Sequence, residues 1–573
     1  MGESHRAQRC SHRKPPFFAW FTTAESVSQA PKFESIMKLT QTIRAALALC
    51  AIAALAPASG LAQPAPAAIH ALTVQASQSP SLPAGPYDER GWLDRFYAPR
   101  NYAPAWNAST AAAALWVLRR AALQGLNPAD YGADSLQRQL RSGEADTARF
   151  DVALTSAMLH YLADLRVGRV RSEYHSRAPD PRLRQYDPVE RLRTGLAAGK
   201  LQAAVQAAEP QIWQYGRVKA ALAQYRELAG QAYPALPRPD AKVLPGGAYP
   251  AVKALYARLV LLGDLAADAP PPPEGIYSDP VEEGVRHFQA RHGLDEDGVL
   301  GRGTIDALNV PPAQRVRQFE LTLERLRWLP DFGPGPLIVV DLPAYRLWAL
   351  NKGSTEAPLE MRVVIGSAVK TETPLFVGQM RYVEFNPYWN VPRSILEKEM
   401  LPKLERNAAY LTQNDMETVP PGASAADLRA GRARVRQRPG PKNALGAIKF
   451  ALPNPMDIYL HSTPARELFQ RSRRDLSHGC IRVEHPAALA QFVLSQQRQW
   501  NADTIQDALQ AGPTRHVDLV HAIPVVIFYA TASVDSEGMP RFARDVYGRD
   551  RKLEQDLRAR YGQMAPAEGR SPE

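Results

Sequence analysis

The chain has 573 residues, with 69 Lys+Arg, 58 Asp+Glu, a formal charge of +11 and 45% hydrophobic side chains. That length allows about three or four domains, and the ordinary apolar fraction excludes a wholly disordered chain. Three Cys exclude a disulfide-stapled miniprotein and 36 Gly exclude collagen, while no apolar run reaches the ~20 residues that a polytopic membrane protein would repeat.

Residues 1–36 mix His, Arg, Ser and Pro without apolar periodicity and read as a non-native N-terminal extension. Met37-Lys38 then opens a basic stretch ending at Arg44, followed by an apolar run over 45–56 and the small-x-small sequence Gly60-Leu61-Ala62. This is the pattern of a secretory signal peptide over 37–62, which directs the chain to the periplasm, the alternative being a signal anchor that is never cut. Leu49 before Cys50 argues against lipid attachment at that cysteine. Cleavage after Ala62 would remove seven basic and three acidic residues, leaving a charge of +7. It would also remove Cys10 and Cys50 and leave Cys480 as the lone thiol. Such a thiol in an oxidising compartment is either reactive or an inert buried side chain, and its neighbours must decide.

Residues 63–87 are rich in Pro, Ala and Ser and read as a linker. A helical scaffold is expected over 88–245, with strong helix formers at 111–124, 154–165 and 219–229. His160 and Trp213 read as packing residues within it. Pro and Gly mark a boundary over 234–250. Helices are expected at 250–267 and 281–292, and a last short one begins at Thr304. Val285, Phe288-Gln289, His292-Gly293-Leu294, Asp297-Gly298, Gly301, Thr304 and Leu308-Asn309 resemble the small three-helix peptidoglycan-binding domain, assigned to 246–312. The acidic turn at 295–297 lacks the alternating ligands and closing Glu of a calcium loop. Residues 313–335 read as a linker.

Beyond residue 336 the periodicity becomes that of strands, at 337–342, 345–350, 361–366, 382–386, 458–461, 517–520 and 525–529. The expected class is therefore α+β: a helical scaffold and a small three-helix domain, then a mainly-β, sandwich-like domain over 336–535, with a C-terminal helix and tail over 536–573. An excursion at 394–445 reads as a helix over 394–405 and a polar, Arg-rich loop over 423–442, an inserted lid. Its Arg429, Arg432, Arg434, Arg436 and Arg438 suit either a solvated loop or a surface that meets acidic peptides; an exported protein rarely meets nucleic acid.

The chemistry concentrates at Tyr459-Leu460-His461-Ser462-Thr463-Pro464 and Arg474-Asp475-Leu476-Ser477-His478-Gly479-Cys480-Ile481-Arg482. An adjacent imidazole can take a thiol's proton, and His461 and His478 are both candidates. Arg474 and Arg482 add positive charge that favours thiolate. Gly479 lets the backbone bend so that successive N–H groups converge on one oxygen. Two His and one Cys could bind zinc, but there is no second Cys and no HxxxH or HExxH pair, so no metal is assigned.

The His, the gap of about 15 residues and the Ser477-His478-Gly479-Cys480-Ile481 run resemble the signature of the L,D-transpeptidase (YkuD-type) catalytic domain. Asn386-Pro387-Tyr388-Trp389-Asn390-Val391-Pro392, Pro439-Gly440-Pro441-Lys442-Asn443-Ala444-Leu445-Gly446 and His461-Ser462-Thr463-Pro464 resemble its large Gram-negative branch. Ser462 stands where many members have Gly, and Arg482 where many have Asn. The resemblance implies that Cys480 is the nucleophile and His461 the base, oriented by the Ser462 carbonyl, although the residues themselves leave His478 as an equal candidate. It implies an oxyanion hole from the amides of His478, Gly479 and Cys480. It further implies that Ser477, Arg482, Arg474, Trp389 and Asn390 shape or contact the substrate.

The implied reaction transfers an acyl group from a tetrapeptide stem of peptidoglycan to a diaminopimelate side-chain amine, releasing D-alanine and forming a 3→3 cross-link. It needs no cofactor, and the family implies acylation of Cys480 by carbapenems. Alternatives are an L,D-carboxypeptidase or endopeptidase using the same Cys, or a non-catalytic wall-binding adaptor. Expected partners are peptidoglycan stem peptides and other wall synthases, with no nucleic acid, no membrane span after signal cleavage, and a monomeric chain.

Overall fold

The computed structural model describes residues 66–78, 86–142, 147–174, 186–510 and 512–561. The expected extension, the signal peptide, Cys10 and Cys50 lie outside them. No helix among the described residues is long and apolar enough to cross a membrane.

The helical N-terminal part is built around Thr147–Val167, whose Leu154, Met158, Leu162 and Leu165 are buried. Ala108–Arg119 begins at an Asn107 capping box, with Asn107 Oδ1 accepting from Thr110 N. Part of the expected linker is instead a helix, Pro66–Gln78, whose Ile69 and Thr73 are buried. Its many Ala residues conceal a helix that needs only one apolar anchor. His160 packs near Tyr87 and Trp92, whereas Trp213 stands 37% exposed at a helix start, contrary to expectation.

Val252–Leu262, Asp279–Arg291 and Arg302–Leu308 form the small three-helix unit around Leu255, Leu259, Val285, Phe288 and Ile305. The residues beyond it are not a linker. Pro312–Arg327 is a helix with its second half buried, between the scaffold, where Phe319 and Leu323 join the core, and the C-terminal part, where Thr322 Oγ1 donates to Ala532 O. Its charged sequence hid this burial. Glu324 accepts from Arg169 Nε at 3.1 Å and Arg327 Nη1 at 3.2 Å, so the buried charges are paired.

The strands are β1 (Gly335–Asp341), β2 (Arg346–Lys352), β3 (Leu359–Gly366), β4 (Phe376–Phe385), β5 (Trp389–Asn390), β6 (Met416–Val419) and β7 (Arg434–Gln437). They continue with β8 (Ile448–Ala451), β9 (Leu460–His461), β10 (Asp475–Ser477), β11 (Ile481–Val483), β12 (Arg515–Phe528), β13 (Ala532–Val534) and β14 (Pro540–Phe542). One sheet runs β10-β3-β11-β9-β8-β4-β12-β1-β2, and β2 also pairs with β3. The mainly-β expectation therefore holds, with one sheet closed on itself rather than two stacked sheets. Closure removes the edges that an open sheet must protect. Strand alternation sends Ile338, Val363, Phe385, Phe450, Leu460, Ile481 and Val525 into one core.

The excursion is a folded subdomain, not a loop. Arg393–Ile395, a π-helical turn at Leu396–Met400 and Leu401–Arg406 form its helix. A sheet ordered β5-β7-β6 and a core of Val391, Leu396, Met400, Leu428 and Val435 complete it. The Arg-rich run is a strand in part: Val435 is buried between Arg434 and Arg436. Glu417 bonds Arg436 Nε at 2.5 Å and Arg438 Nε at 2.7 Å, Asp427 pairs with Arg432, and Glu405 pairs with Arg429.

Candidate active site

β9 and β11 run parallel, with Leu460 opposite Ile481 and His461 opposite Arg482. Leu460, Ile481 and Val483 point into the core. The alternation therefore puts Tyr459, His461, Cys480 and Arg482 on the other face. At ~4.8 Å between strands and ~6.6 Å per two residues, the His461 and Cys480 Cα atoms lie about 8 Å apart, within side-chain reach. β8 continues the row, since Lys449 is opposite His461 and Glu384 is opposite Lys449. Lys449 Nζ is 3.0 Å from Glu384 and 4.9 Å from the Tyr459 ring centroid.

His461 is buried, and its Nδ1 lies 2.6 Å from the Ser462 carbonyl. That contact makes Nδ1 the donor and leaves Nε2 as the acceptor. Burial, aided by the positive charge of Arg482, lowers the imidazole pKa to about 3, so it is neutral at physiological pH. Ser462 is held in turn: its Oγ donates to Leu445 O at 3.0 Å and accepts from Ile448 N at 3.1 Å. Gly446 must be glycine here, with φ +63° and a Cβ that would fall 2.2 Å from Ser462 Oγ. His478 is differently placed. It is exposed, with Nε2 2.7 Å from Glu399 of the inserted subdomain.

Cys480 is partly buried, with Sγ 3.5 Å from Asp457 O. Burial raises its pKa above the ordinary value, outweighing the hydrogen bonds from the Tyr459 amide and hydroxyl and the nearby Lys449 charge, all of which lower it. The expected resting thiolate is thus not what the surroundings favour. Arg474 does not join this group. Its guanidinium is buried against the carbonyls of Val363, Arg471 and Tyr345.

The turn carrying Cys480 is braced from behind. Ser477 is buried; its Oγ donates to Cys480 O at 2.6 Å and accepts from Gly479 N at 3.2 Å. Ser477 therefore holds the turn rather than facing a substrate. The Gly479 amide is spent in this contact, while those of His478 and Cys480 have no hydrogen-bond partner among the described residues. Gly479 adopts φ +117°, a conformation that side chains disfavour. Thr373 Oγ1 donates to Gly479 O at 2.7 Å and Thr371 Oγ1 to Ser477 O at 2.9 Å.

Arg482 has no carboxylate partner among the described residues, and its buried Nε lacks a hydrogen bond. Trp389 and Asn390 form β5 of the subdomain, pairing with Gln437 and Arg436. Trp389 reaches the site beside the Tyr459 hydroxyl, whose pKa it lowers against the larger effect of burial. Sequence reasoning missed Lys449, Thr371, Thr373 and Glu399, and gave Tyr459, within the stretch around His461, no role. Only Tyr459 carried a signal, at two residues before His461 on the same strand face.

Three family models match the chain. They are a scaffold domain over residues 91–222, a "Putative peptidoglycan binding domain" over 248–308, and the L,D-transpeptidase catalytic domain, YkuD, over 335–527. A Haemophilus influenzae protein named "Putative L,D-transpeptidase" is 31% identical over 268 residues, which are 44% of this chain and 53% of that protein. The chain thus spans about half the length of the curated relative it matches. An L,D-transpeptidase structure from Stackebrandtia nassauensis covers 52% of this chain and 97% of its own, at 14% identity and a TM-score of 0.21. One from Xylanimonas cellulosilytica covers 52% and 100%, at 15% identity and a TM-score of 0.17. Those scores are too low to carry an argument. The chain is thus similar over residues 335–527 to the L,D-transpeptidase catalytic domain, YkuD, and over 248–308 and 91–222 to the peptidoglycan-binding and scaffold models.

Proposed function

We propose that the chain is an extracytoplasmic peptidoglycan L,D-transpeptidase that forms 3→3 cross-links through Cys480. The observation that carries this reading is a thiol sharing one strand face with a neutral imidazole whose Nδ1 is tied to a carbonyl. His461 Nε2 takes the thiol proton as Sγ bonds to the carbonyl carbon of the donor stem's third residue. A resting thiolate–imidazolium pair is disfavoured from both sides, so proton transfer accompanies attack. The amides of His478 and Cys480 receive the developing oxyanion. Collapse breaks the C–N bond; His461 returns the proton to the departing D-alanine amine, and a thioester remains. The side-chain amine of a diaminopimelate on another stem then attacks the thioester. Its proton passes to His461 Nε2, the C–S bond breaks, and the sulfur is reprotonated.

Unpaired Arg482 suits a substrate carboxylate, which a guanidinium grips with two parallel N–H groups. His478 is the weaker candidate base because Glu399 occupies its Nε2. Trp389 and Asn390, from the inserted subdomain, would meet the substrate from above. Carbapenems would acylate the same sulfur. Incubation with a disaccharide tetrapeptide, with products resolved by mass, tests the reading. A cross-linked dimer supports it, a shortened monomer makes the chain a carboxypeptidase, and unchanged substrate makes it an adaptor.

A further inference from the structure

A cleft of about 1040 Å³ separates the three-helix unit from the catalytic domain. One wall is the acidic turn and the start of Arg302–Leu308. The other is formed by the β1–β2 turn, residues 470–474 and the segment after β14. Ten basic side chains line it against four acidic ones. Several are already paired: Arg346 with Glu360 at 3.3 Å, Arg541 with Asp535 at 3.1 Å, Arg362 with Glu484 and Arg473 with Asp475 at 2.7 Å. Exposed Arg471 and Arg544 have no carboxylate partner among the described residues, and exposed Arg302 has only a 3.7 Å contact with Asp306. Like charges crowd the floor, where burial and the neighbouring Arg346 and Arg362 push Arg474 down to about 10. Arg291 is likewise paired, with Asp264, so the positive field of the cleft comes chiefly from Arg302, Arg471 and Arg544, which draw anions between its walls.

We infer that this interdomain cleft binds the carboxylate-bearing peptide arms of a peptidoglycan chain, separately from the stem that reacts at Cys480. The inference rests on the reading of the chain as acting on peptidoglycan. Planar guanidinium forks on both walls match carboxylates better than they match the neutral sugars of the glycan. The cleft is at the upper end of small-ligand sites and suits a short peptide. It also lies within a short chain distance of the reaction centre. Arg474 is followed directly by β10 and the turn of Cys480, six residues that span at most ~20 Å. A chain held in the cleft by one arm would thus keep a neighbouring arm near the sulfur. Glu296 sits in the opposite wall, where its charge acts on Arg346 and Arg362, as a weak internal competitor that a multivalent polymer displaces.

The test uses the full chain carrying Cys480→Ala, so that nothing turns over. Its binding is measured to soluble glycan chains with uncross-linked tetrapeptide arms, to the same chains stripped of peptide, and to a phosphate polymer of equal charge. Arg471→Glu with Arg544→Glu is the comparison, since both side chains are exposed and neither is near Cys480's contacts. The expected result is at least tenfold weaker binding of peptide-bearing chains by the double variant. The stripped glycan should bind weakly to both proteins, and the loss should shrink at high salt. Unchanged binding by the double variant, equal binding of stripped glycan, or preference for the phosphate polymer each overturns the inference. Acylation of Cys480 by monomeric tetrapeptide, in a chain that retains the cysteine, separates the two readings. If it fails without the cleft substitutions, the transpeptidase reading falls; if it persists with them and chain binding is unaltered, only the cleft falls.

Discussion

Acid should loosen the site through His461. Its folded pKa of about 3 lies below the 6.5 of an exposed imidazole, so the unfolded state binds the extra proton first. The stabilisation is complete above pH 6.5 and is lost as pH falls toward 3. At pH 4, 2.5 units below the 6.5 of the unfolded imidazole, the group is still mostly neutral in the fold, a loss of about 3 kcal/mol. The perturbation is His461→Asn, which keeps a donor near Nδ1 and removes the titration. Because the chain has several domains, local measurement is preferable: amide hydrogen exchange of β8, β9 and β11 at pH 7.5 and pH 4, corrected for intrinsic rates. The wild-type protection factor should fall about 300-fold more than that of the variant. Equal losses in both proteins would refute the buried neutral imidazole and, with it, the assignment of Nε2 as a free acceptor.

Lys449→Met removes a positive charge that lowers the Cys480 pKa. The midpoint of iodoacetamide alkylation against pH should move up, with slower alkylation at pH 7; an unchanged midpoint would show that Lys449 has no field at the sulfur. Ser477→Ala deletes both hydrogen bonds that close the Cys480 turn. A stability loss of about 1–3 kcal/mol, read by local exchange, should accompany reduced acylation; an intact turn with full activity would contradict the bracing role. His478→Ala should slow acylation far less than His461→Ala, and the reverse order in single-turnover rates would exchange the two roles.

The motif from His461 to Arg482 was legible through its resemblance to the family signature, whereas the residues alone left His461 and His478 equal, and period-two spacing pointed to His478, which the fold turns toward Glu399. The three-helix unit was legible because its Gly and apolar spacing reflects its own core. The helix Pro312–Arg327 was not, because its charges become buried only when the scaffold brings Arg169 to Glu324, which also pairs with Arg327 on the same helix. The strand at Arg434–Gln437 was masked in the same way: Glu417, distant in sequence, neutralises Arg436 and Arg438. Thr371 and Thr373 brace the turn from a loop over 100 residues earlier, a pairing that no local pattern encodes. The resting state of Cys480 was misjudged because the charges near it could be counted from sequence while the burial that opposes them could not.

The most direct test of the central claim is the intact mass of the chain after exposure to a carbapenem. A single adduct on the protein with Cys480 present, none on Cys480→Ala, and slow formation on His461→Asn are the predicted results. An adduct that survives Cys480→Ala would contradict the assignment of that sulfur as the nucleophile.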